Sequence, residues 1–208
     1  MHCEVEEVRG VKDSLWGLAK ENKATIMVTG YNGVKGPKAD PTIAGTAIQY
    51  LAVNSTLPTL VIKDARTRAQ KPVGLYRYGV CYDGSPQAKK ALETAIKMMR
   101  ANDRLTTITV REPMVDDSKT DEMVKQMMRD AGVTGEYDHV SLEHSKTETV
   151  YNTIKNYLKS QVYGTNDYVD WICLGNCGKG YEINKQKLGS LANACLRGKR
   201  MNVLFVPQ

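Results

Sequence analysis

Hydrophobic positions change their spacing in a regular way along the last two-thirds of the chain. Short runs rich in Val, Ile, Leu, Thr and Tyr, typical of buried strands, alternate with longer segments whose apolar residues recur every three to four positions, as on one side of a helix. Strands are predicted at Tyr76–Tyr82, Leu105–Val110, Tyr137–Leu142, Tyr168–Leu174 and Asn202–Val206, and helices near Pro86, Ser118–Ala131, Val150 and Leu188. Because strands and helices alternate strictly, the pattern predicts an α/β fold, a doubly wound five-stranded parallel sheet between two helical layers.

Part of this pattern occurs a second time near the N-terminus. The corresponding segments are Ala24–Gly33 with Val169–Gly178, Gly45-Thr46 with Gly189-Ser190, Thr59–Lys63 with Asn202–Val206, Val11–Glu21 with the helix after Glu148, and Cys3–Val8 with Tyr137–Leu142. Repetition of this kind indicates two copies of one structural unit. The first copy contains only the last three strands of the second.

The repeat divides the chain into three parts. We expect residues 1–65 to form the partial copy, 66–75 to be a linker, and 76–208 to form a complete domain. The first strand of a doubly wound sheet normally lies in its middle, so a copy without it leaves a strand without a neighbour. Either the chain is truncated at its front, or residues 1–65 complete their sheet on another surface; the sequence leaves both open.

Composition excludes several classes of protein. The chain has 208 residues, of which 41% are hydrophobic and 25% charged, an ordinary globular balance. It contains no apolar run long enough to cross a membrane and no secretory leader, so we expect a cytoplasmic protein with no membrane partner. The net charge of +6 comes from scattered bases. Since nucleic-acid binders usually carry a sharper basic stripe, we expect no nucleic-acid partner.

The cysteines and histidines form no recognisable catalytic or metal-binding motif. The five cysteines include no Cys-x-x-Cys pair and are expected to be reduced, buried hydrophobic groups. His139 and His144 are five residues apart and would face opposite sides of a strand. The sequence therefore predicts no metal site and no catalytic residue.

A glycine-rich stretch follows the fourth strand of the complete unit. It reads Gly175-Asn-Cys-Gly178, then ten residues, then Gly189-Ser190 at the start of the next helix. Glycines let backbone N–H groups approach a ligand closely, and a helix N-terminus favours phosphate. Ser190 could add a hydroxyl donor or simply cap the helix. The alternative interpretation is a loop that contains glycine without binding anything.

A second polar motif, Cys81-Tyr82-Asp83-Gly84-Ser85, ends the first strand of the complete unit. In open α/β sheets, ligands bind beyond the carboxyl ends of the strands, where the strand order reverses. A carboxylate there could accept a hydrogen bond from a ribose or from an adenine amino group. Asp83 could equally be a turn residue.

Together these motifs resemble the universal stress protein family, in its ATP-binding branch. The resemblance covers residues 76–208 as a whole domain and 1–65 as the latter part of another. The phosphate loop of the family is Gly-x2-Gly-x9-Gly-Ser/Thr, and this chain has one residue more before the third glycine. The resemblance implies nucleotide contacts at Cys81, Tyr82, Asp83, Val110, Gly175, Gly178, Gly189 and Ser190, with Val110 against the adenine.

The resemblance also implies a fold and a function. The fold would be adenine nucleotide α-hydrolase-like, with strand order 3-2-1-4-5. The cofactor would be ATP, with or without Mg²⁺, and binding would act as a switch for assembly or partner choice in the stress response, with slow hydrolysis at most. The family pairs domains through the last strand, which here gives a homodimer or an intrachain pseudo-dimer.

Two alternatives belong to other functional classes. One is a nucleotide-free dimerising scaffold of the same fold, in which the altered loop spacing has abolished binding. The other is an adenylyl-transfer enzyme of related topology. Such enzymes carry Ser-Gly-Gly-x-Asp-Ser or His-x-Gly-His motifs near the first strand, where this chain has Asp83-Gly84-Ser85-Pro86, so this alternative is the weaker.

The apolar end strands of the two copies lead to a further structural prediction. Thr59–Lys63 and Asn202–Pro207 are both apolar, and an apolar strand edge is a liability unless it is covered. We therefore expect these two strands to pair antiparallel, within one chain or between two, about an approximate two-fold axis.

Overall fold

A single sheet of seven strands organises the computed structural model, which describes residues 11–32, 44–63, 76–111, 118–145, 147–160, 169–177, 188–198 and 201–207. The strands are β1 (Met27–Gly30), β2 (Thr59–Ile62), β3 (Arg77–Cys81), β4 (Arg104–Arg111), β5 (Tyr137–Glu143), β6 (Trp171–Gly175) and β7 (Asn202–Val206). Their order across the sheet is β1-β2-β7-β6-β3-β4-β5. Strands β3 to β7 are parallel to one another, so this half has the order 3-2-1-4-5 that the resemblance implied.

Helices connect successive strands on both faces of the sheet. They are α1 (Val11–Glu21), α2 (Thr46–Asn54), α3 (Pro86–Met98), α4 (Ser118–Asp130), α5 (Val150–Ser160) and α6 (Ser190–Arg197). The predicted α/β alternation is confirmed, while the strand predicted at Cys3–Val8 lies outside the described residues. Within the described part of the chain, no helix has the length and apolarity needed to span a membrane.

The two halves of the sheet meet at β2 and β7. These strands pair antiparallel, with Leu60 opposite Leu204 and Val61 opposite Val203. The predicted antiparallel pairing of the end strands is confirmed, and it occurs within one chain. The pairing buries both strand edges that an apolar end strand would otherwise expose.

Side chains alternate between two hydrophobic cores, one on each face of the sheet. The first core holds residues of α2, α5 and α6, and the second holds residues of α3 and α4. Along β7, Val203 and Phe205 belong to the first core, whereas Leu204 and Val206 belong to the second. Because successive side chains of a strand face opposite sides of the sheet, the uninterrupted apolar run of β7 fills both cores.

Lys63, directly after β2, joins the two halves. Its ammonium donates to the carbonyl oxygens of Cys195, of Leu196 at 2.8 Å and of Gly198 at 2.7 Å, all at the C-terminal end of α6. It also lies 5.1 Å from the centre of the Tyr31 ring. Because helix C-termini leave carbonyls without intrahelical donors, this lysine supplies the missing hydrogen bonds from the other half of the sheet.

Replacing Lys63 with methionine should destabilise the protein by about 2 kcal/mol, because several hydrogen bonds to a charged donor are lost and the α6 carbonyls lose their partner. Urea unfolding monitored by circular dichroism measures the change. Lys89→Met, at an exposed position of α3, is the control and should change stability by less than about 0.5 kcal/mol. Equal effects of the two substitutions would contradict this role of Lys63.

The same contact predicts a pH dependence. Burial lowers the pKa of Lys63 to about 8, below its ordinary value of 10.5. Between these values the unfolded chain holds the proton more tightly than the folded chain, so this group makes stability rise with pH. The stability advantage of the unmutated chain over Lys63→Met should therefore widen from pH 8 to pH 10. A difference that stays constant would show that Lys63 titrates as it does in the unfolded chain.

Candidate functional site

The chain turns sharply where β3 ends and α3 begins. Gly84 has a φ of +78°, which glycine adopts without strain, and Pro86 takes the first helical position. Ser85 caps the helix by accepting a hydrogen bond from the N–H of Ala88 at 3.2 Å. The N–H of Ser85 donates to Oδ1 of Asp83 at 2.9 Å. Asp83 is therefore a turn residue, as the alternative interpretation of the sequence had it. Its exposed carboxylate lies at the carboxyl edge of the sheet.

Val110 lies beside Asp83 at this edge. The N–H of Tyr82 donates to the carbonyl oxygen of Ile108 at 2.9 Å, which continues the parallel pairing of β3 with β4. The register pairs Cys81 with Ile108, and its continuation by two residues places Asp83 opposite Val110. Val110 is half-buried and packs against the first core, so it offers an apolar surface next to a carboxylate.

Cys81 and Tyr82 point to opposite faces of the sheet. Cys81 is buried in the first core, and Tyr82 packs against the second, with its hydroxyl 3.8 Å from the sulfur of Met123. Burial raises the pKa of both side chains, so both remain protonated at neutral pH. Their side chains contribute to packing, and their backbone sets the position of Asp83.

Gly175, the last residue of β6, allows a close approach to α3. A Cβ atom on Gly175 would lie 2.7 Å from Cβ of Gln87 and 3.0 Å from the carbonyl oxygen of Cys177. Gln87 is buried in the first turn of α3. Glycine is required here because the strand end and the following chain run directly against that turn.

The loop after β6 is closed at its base by backbone hydrogen bonds. The N–H of Asn176 donates to the carbonyl oxygen of Val206 at 2.9 Å, and the N–H of Gly189 donates to the carbonyl oxygen of Asn176 at 2.8 Å. Gly189 is therefore held next to the end of β6. These contacts bring the start of α6 to the same sheet edge as Asp83.

Helix α6 begins at Ser190, and its N-cap is Gly189, which has no side chain to bond the first turn. The prediction that Gly189-Ser190 marks the helix start is confirmed. The suggestion that Ser190 caps the helix is wrong, because Ser190 is already helical, and its side chain is exposed. The first N–H groups of any helix lack intrahelical partners, so this end can receive an anion.

The Asp83 carboxylate, after β3, acts electrostatically on the Cys177 thiol, after β6. Burial, and then the Asp83 carboxylate, raise the pKa of the Cys177 thiol. Asp83, after β3, is thus close to the chain that follows β6. Gly178 lies outside the described residues.

The partial copy repeats only some of these features. Gly30 ends β1, and Gly45 caps α2 without a side-chain hydrogen bond, as Gly175 and Gly189 do in the complete unit. Among the described residues, β1 has β2 as its only strand neighbour. No counterpart of the β3 end, and so none of Asp83, lies beside Gly30 in that part of the structure.

Two residues at this edge were missed by the sequence analysis. Gln87 is buried against Gly175, and Asn176 is buried with no hydrogen-bond partner for its Oδ1 among the described residues. The position of Asn176 between the two glycines of the loop was a usable signal; nothing in the sequence marked Gln87. No group of three His, Cys, Asp or Glu side chains suited to a metal ion occurs in the described ranges.

Comparison with known protein families shows the family of the chain. The profile of the universal stress protein family matches residues 77–207, more than half of the sequence. The chain belongs to the universal stress protein family. A comparison with curated proteins found no match.

Two solved structures with TM-scores above 0.5 show the same fold at low sequence identity. A universal stress protein from Archaeoglobus fulgidus is 19% identical, with a TM-score of 0.62, over 92% of this chain and 65% of that one. The chain thus spans slightly less than two-thirds of that protein. A functionally unknown protein from Pseudomonas aeruginosa is 11% identical, with a TM-score of 0.59, over 96% of this chain and 69% of that one. A universal stress protein in complex with cAMP is 19% identical, with a TM-score of 0.44, over 64% and 96%.

Proposed function

We propose that this universal stress protein binds an adenine nucleotide, ATP, at the carboxyl edge of β3, β4 and β6, and that binding acts as a switch for assembly or partner choice. The protein would act by binding rather than by catalysis. A Mg²⁺ ion would enter with the phosphates, which are its usual ligands in nucleotide sites.

The observation that carries the proposal is the convergence of the motifs at the point where the strand order reverses. From β3 the chain proceeds outward to β4 and β5, whereas β6 and β7 lie on the other side of β3. Helices α3 and α4 cover one face and α5 and α6 the other. A crevice between such oppositely wound halves is where open α/β sheets bind ligands.

The phosphate side of the site would be the start of α6. Gly189 has no side chain, and its N–H donates to the carbonyl oxygen of Asn176. The N–H groups that follow belong to the first turn of the helix. These groups and the positive end of the helix dipole favour an anion. Gly178, in the loop between Cys177 and Leu188, would add a further backbone contact.

The nucleoside side would be the pair Asp83 and Val110. One carboxylate oxygen of Asp83 accepts from the Ser85 N–H, and the carboxylate can also accept from a ribose hydroxyl or an adenine amino group. Val110 supplies an apolar contact for the flat face of the base. The close spacing of a carboxylate and an apolar surface suits a nucleoside better than free phosphate.

Asp83→Asn tests the nucleoside contact without removing the turn. The amide oxygen can still accept from the Ser85 N–H, but the second acceptor oxygen becomes an NH₂ donor. Affinity for ATP should fall about tenfold, the equivalent of one charge-assisted hydrogen bond. Isothermal titration calorimetry measures the affinity, and thermal unfolding checks that the turn is intact.

Nucleotide that co-purifies with the protein gives an independent test. Denaturing the purified protein should release adenine nucleotide that chromatography identifies. If no nucleotide is released and added ATP does not bind, the nucleotide-free dimerising scaffold becomes the better account.

A further inference from the structure

Asn176, the residue after β6, is held in place by both of its backbone groups. Its N–H donates to the carbonyl oxygen of Val206 at 2.9 Å, and its carbonyl oxygen accepts from the N–H of Gly189, the N-cap of α6, at 2.8 Å. The side chain therefore starts from a fixed position between the end of β7 and the start of α6. Only 8% of the residue is exposed.

Strand alternation shows on which face of the sheet this side chain lies. Leu174 belongs to the first core, and a Cβ on Gly175 would meet Gln87 of α3, the helix that covers the second core. The next side chain, that of Asn176, therefore lies on the face of the first core. Val110 and helix α6 are on that same face. The Asn176 amide is thus on the side of the carboxyl edge where the proposed base and phosphate contacts lie.

The Oδ1 atom of Asn176 is buried and has no hydrogen-bond partner among the described residues. A buried acceptor without a donor costs free energy, and nearly all such atoms in proteins are satisfied. Packing does not require a polar group here, because the corresponding residue of the partial copy is Tyr31, which packs against the first core. An unsatisfied acceptor beside the start of a helix indicates that a ligand supplies the missing donor.

An adenine nucleotide has few groups that can donate to this oxygen. Phosphate oxygens are ionised and only accept, so they suit the N–H groups of α6 and not the Oδ1 atom. The amino group belongs to the base, which would lie against Val110 on β4. Strand β3 separates β4 from β6, so Val110 and Asn176 are two strand spacings apart, about 10 Å. The ribose hydroxyls, between base and phosphate, are the remaining donors.

We propose that the Oδ1 atom of Asn176 accepts a hydrogen bond from a ribose hydroxyl of the bound nucleotide, so that this residue makes the site specific for the intact sugar. The inference rests on the proposed nucleotide site and adds to it a residue that determines specificity. A nucleotide without this hydroxyl leaves the acceptor buried and unsatisfied. A site that hydrogen-bonds a hydroxyl in this way discriminates against an analogue that lacks it.

Isothermal titration calorimetry with ATP, 2′-deoxy-ATP and 3′-deoxy-ATP tests the proposal. At least one of the deoxy analogues should bind the unmutated protein about tenfold more weakly than ATP, because one hydrogen bond to a buried acceptor is lost. Asn176→Leu has nearly the same size without the acceptor, so it should bind that analogue and ATP with nearly equal affinity. Asn152→Leu, the same substitution at an exposed position of α5, is the control and should keep the full discrimination.

The stability of the nucleotide-free protein gives a second readout. Replacing an unsatisfied buried amide with an apolar side chain of similar shape is neutral or stabilising. The urea midpoint of Asn176→Leu should therefore equal or exceed that of the unmutated chain. A lower midpoint would mean that the amide serves the fold, and it would contradict the argument from the unsatisfied acceptor.

Two binding results would overturn the proposal while leaving the nucleotide site in place. The first is equal affinity of the unmutated protein for all three nucleotides, which means that no ribose hydroxyl is recognised. The second is discrimination that persists in Asn176→Leu, which assigns the hydroxyl to another acceptor such as the Asp83 carboxylate. Failure of the unmutated protein to bind ATP is a different result, because it would overturn the proposed function itself and this inference with it.

Discussion

Gly175→Ala should destabilise the protein by about 3 kcal/mol, the upper end of the usual cost of overpacking. The added Cβ would lie 2.7 Å from Cβ of Gln87 and 3.2 Å from its backbone carbonyl carbon. The first turn of α3 cannot retreat easily, because the Ser85 cap and Pro86 fix it. Urea unfolding measures the loss.

The partial copy supplies a matched control. Gly30 is the counterpart of Gly175, but among the described residues a Cβ on Gly30 would meet only the Asn32 carbonyl oxygen at 3.6 Å, an ordinary contact. Gly30→Ala should therefore be neutral or should stabilise the chain by up to about 1 kcal/mol, because alanine restricts the unfolded chain more than glycine. If both substitutions cost the same, the close approach to α3 is not what requires glycine at the end of β6.

The architecture was largely predictable from the sequence because it depends on periodicity. The run Asn202–Val206 and the helix that starts at Pro86 were placed correctly by apolar spacing and by helix-start residues. The antiparallel contact of β2 with β7 followed from two apolar end strands that each needed cover. The first two features are local, and the third follows from the open edge that each end strand would otherwise have, so a single sequence contains them.

Details that depend on long-range contacts were not predictable. The Lys63 ammonium reaches carbonyls of α6 more than 130 positions away, and no local pattern marks it. Ser190 was a candidate cap because serine is a common one, but Gly189, whose N–H donates to the carbonyl oxygen of Asn176, is the N-cap, and Ser190 is the first helical residue. Cys81 was assigned to the site by its place in a motif, and strand alternation turned its side chain into the core.

Gly189→Asp should abolish at least nine-tenths of the ATP affinity while leaving the fold intact. Aspartate is a favourable N-cap residue, and the φ of −63° and ψ of 156° at Gly189 suit any amino acid, so helix α6 should be as stable as before or more so. The new carboxylate would occupy the place proposed for phosphate and repel it. Repulsion plus one lost hydrogen bond to a charged group costs roughly 2–3 kcal/mol, which is more than one decade in affinity.

Two further variants separate charge from position. Gly189→Asn has nearly the same size and capping ability as Gly189→Asp without the charge, so it should retain most of the affinity. Gly45→Asp puts the same charge at the start of α2 in the partial copy, where the contact of a Cβ with the described residues is an ordinary one, with Ile48 at 3.8 Å. Because no counterpart of Asp83 lies beside β1 in the described structure, Gly45→Asp should bind ATP as the unmutated chain does.

Calorimetric titration of these proteins with ATP tests the nucleotide site most directly. We expect one ATP per chain for the unmutated protein, a loss of affinity of at least about tenfold for Gly189→Asp, and nearly unchanged affinity for Gly189→Asn and Gly45→Asp. Failure of the unmutated protein to bind ATP, or an affinity in Gly189→Asp equal to that of the unmutated protein, would contradict a nucleotide site at the start of α6. Equal losses in Gly189→Asp and Gly45→Asp would contradict a site built by the complete unit alone.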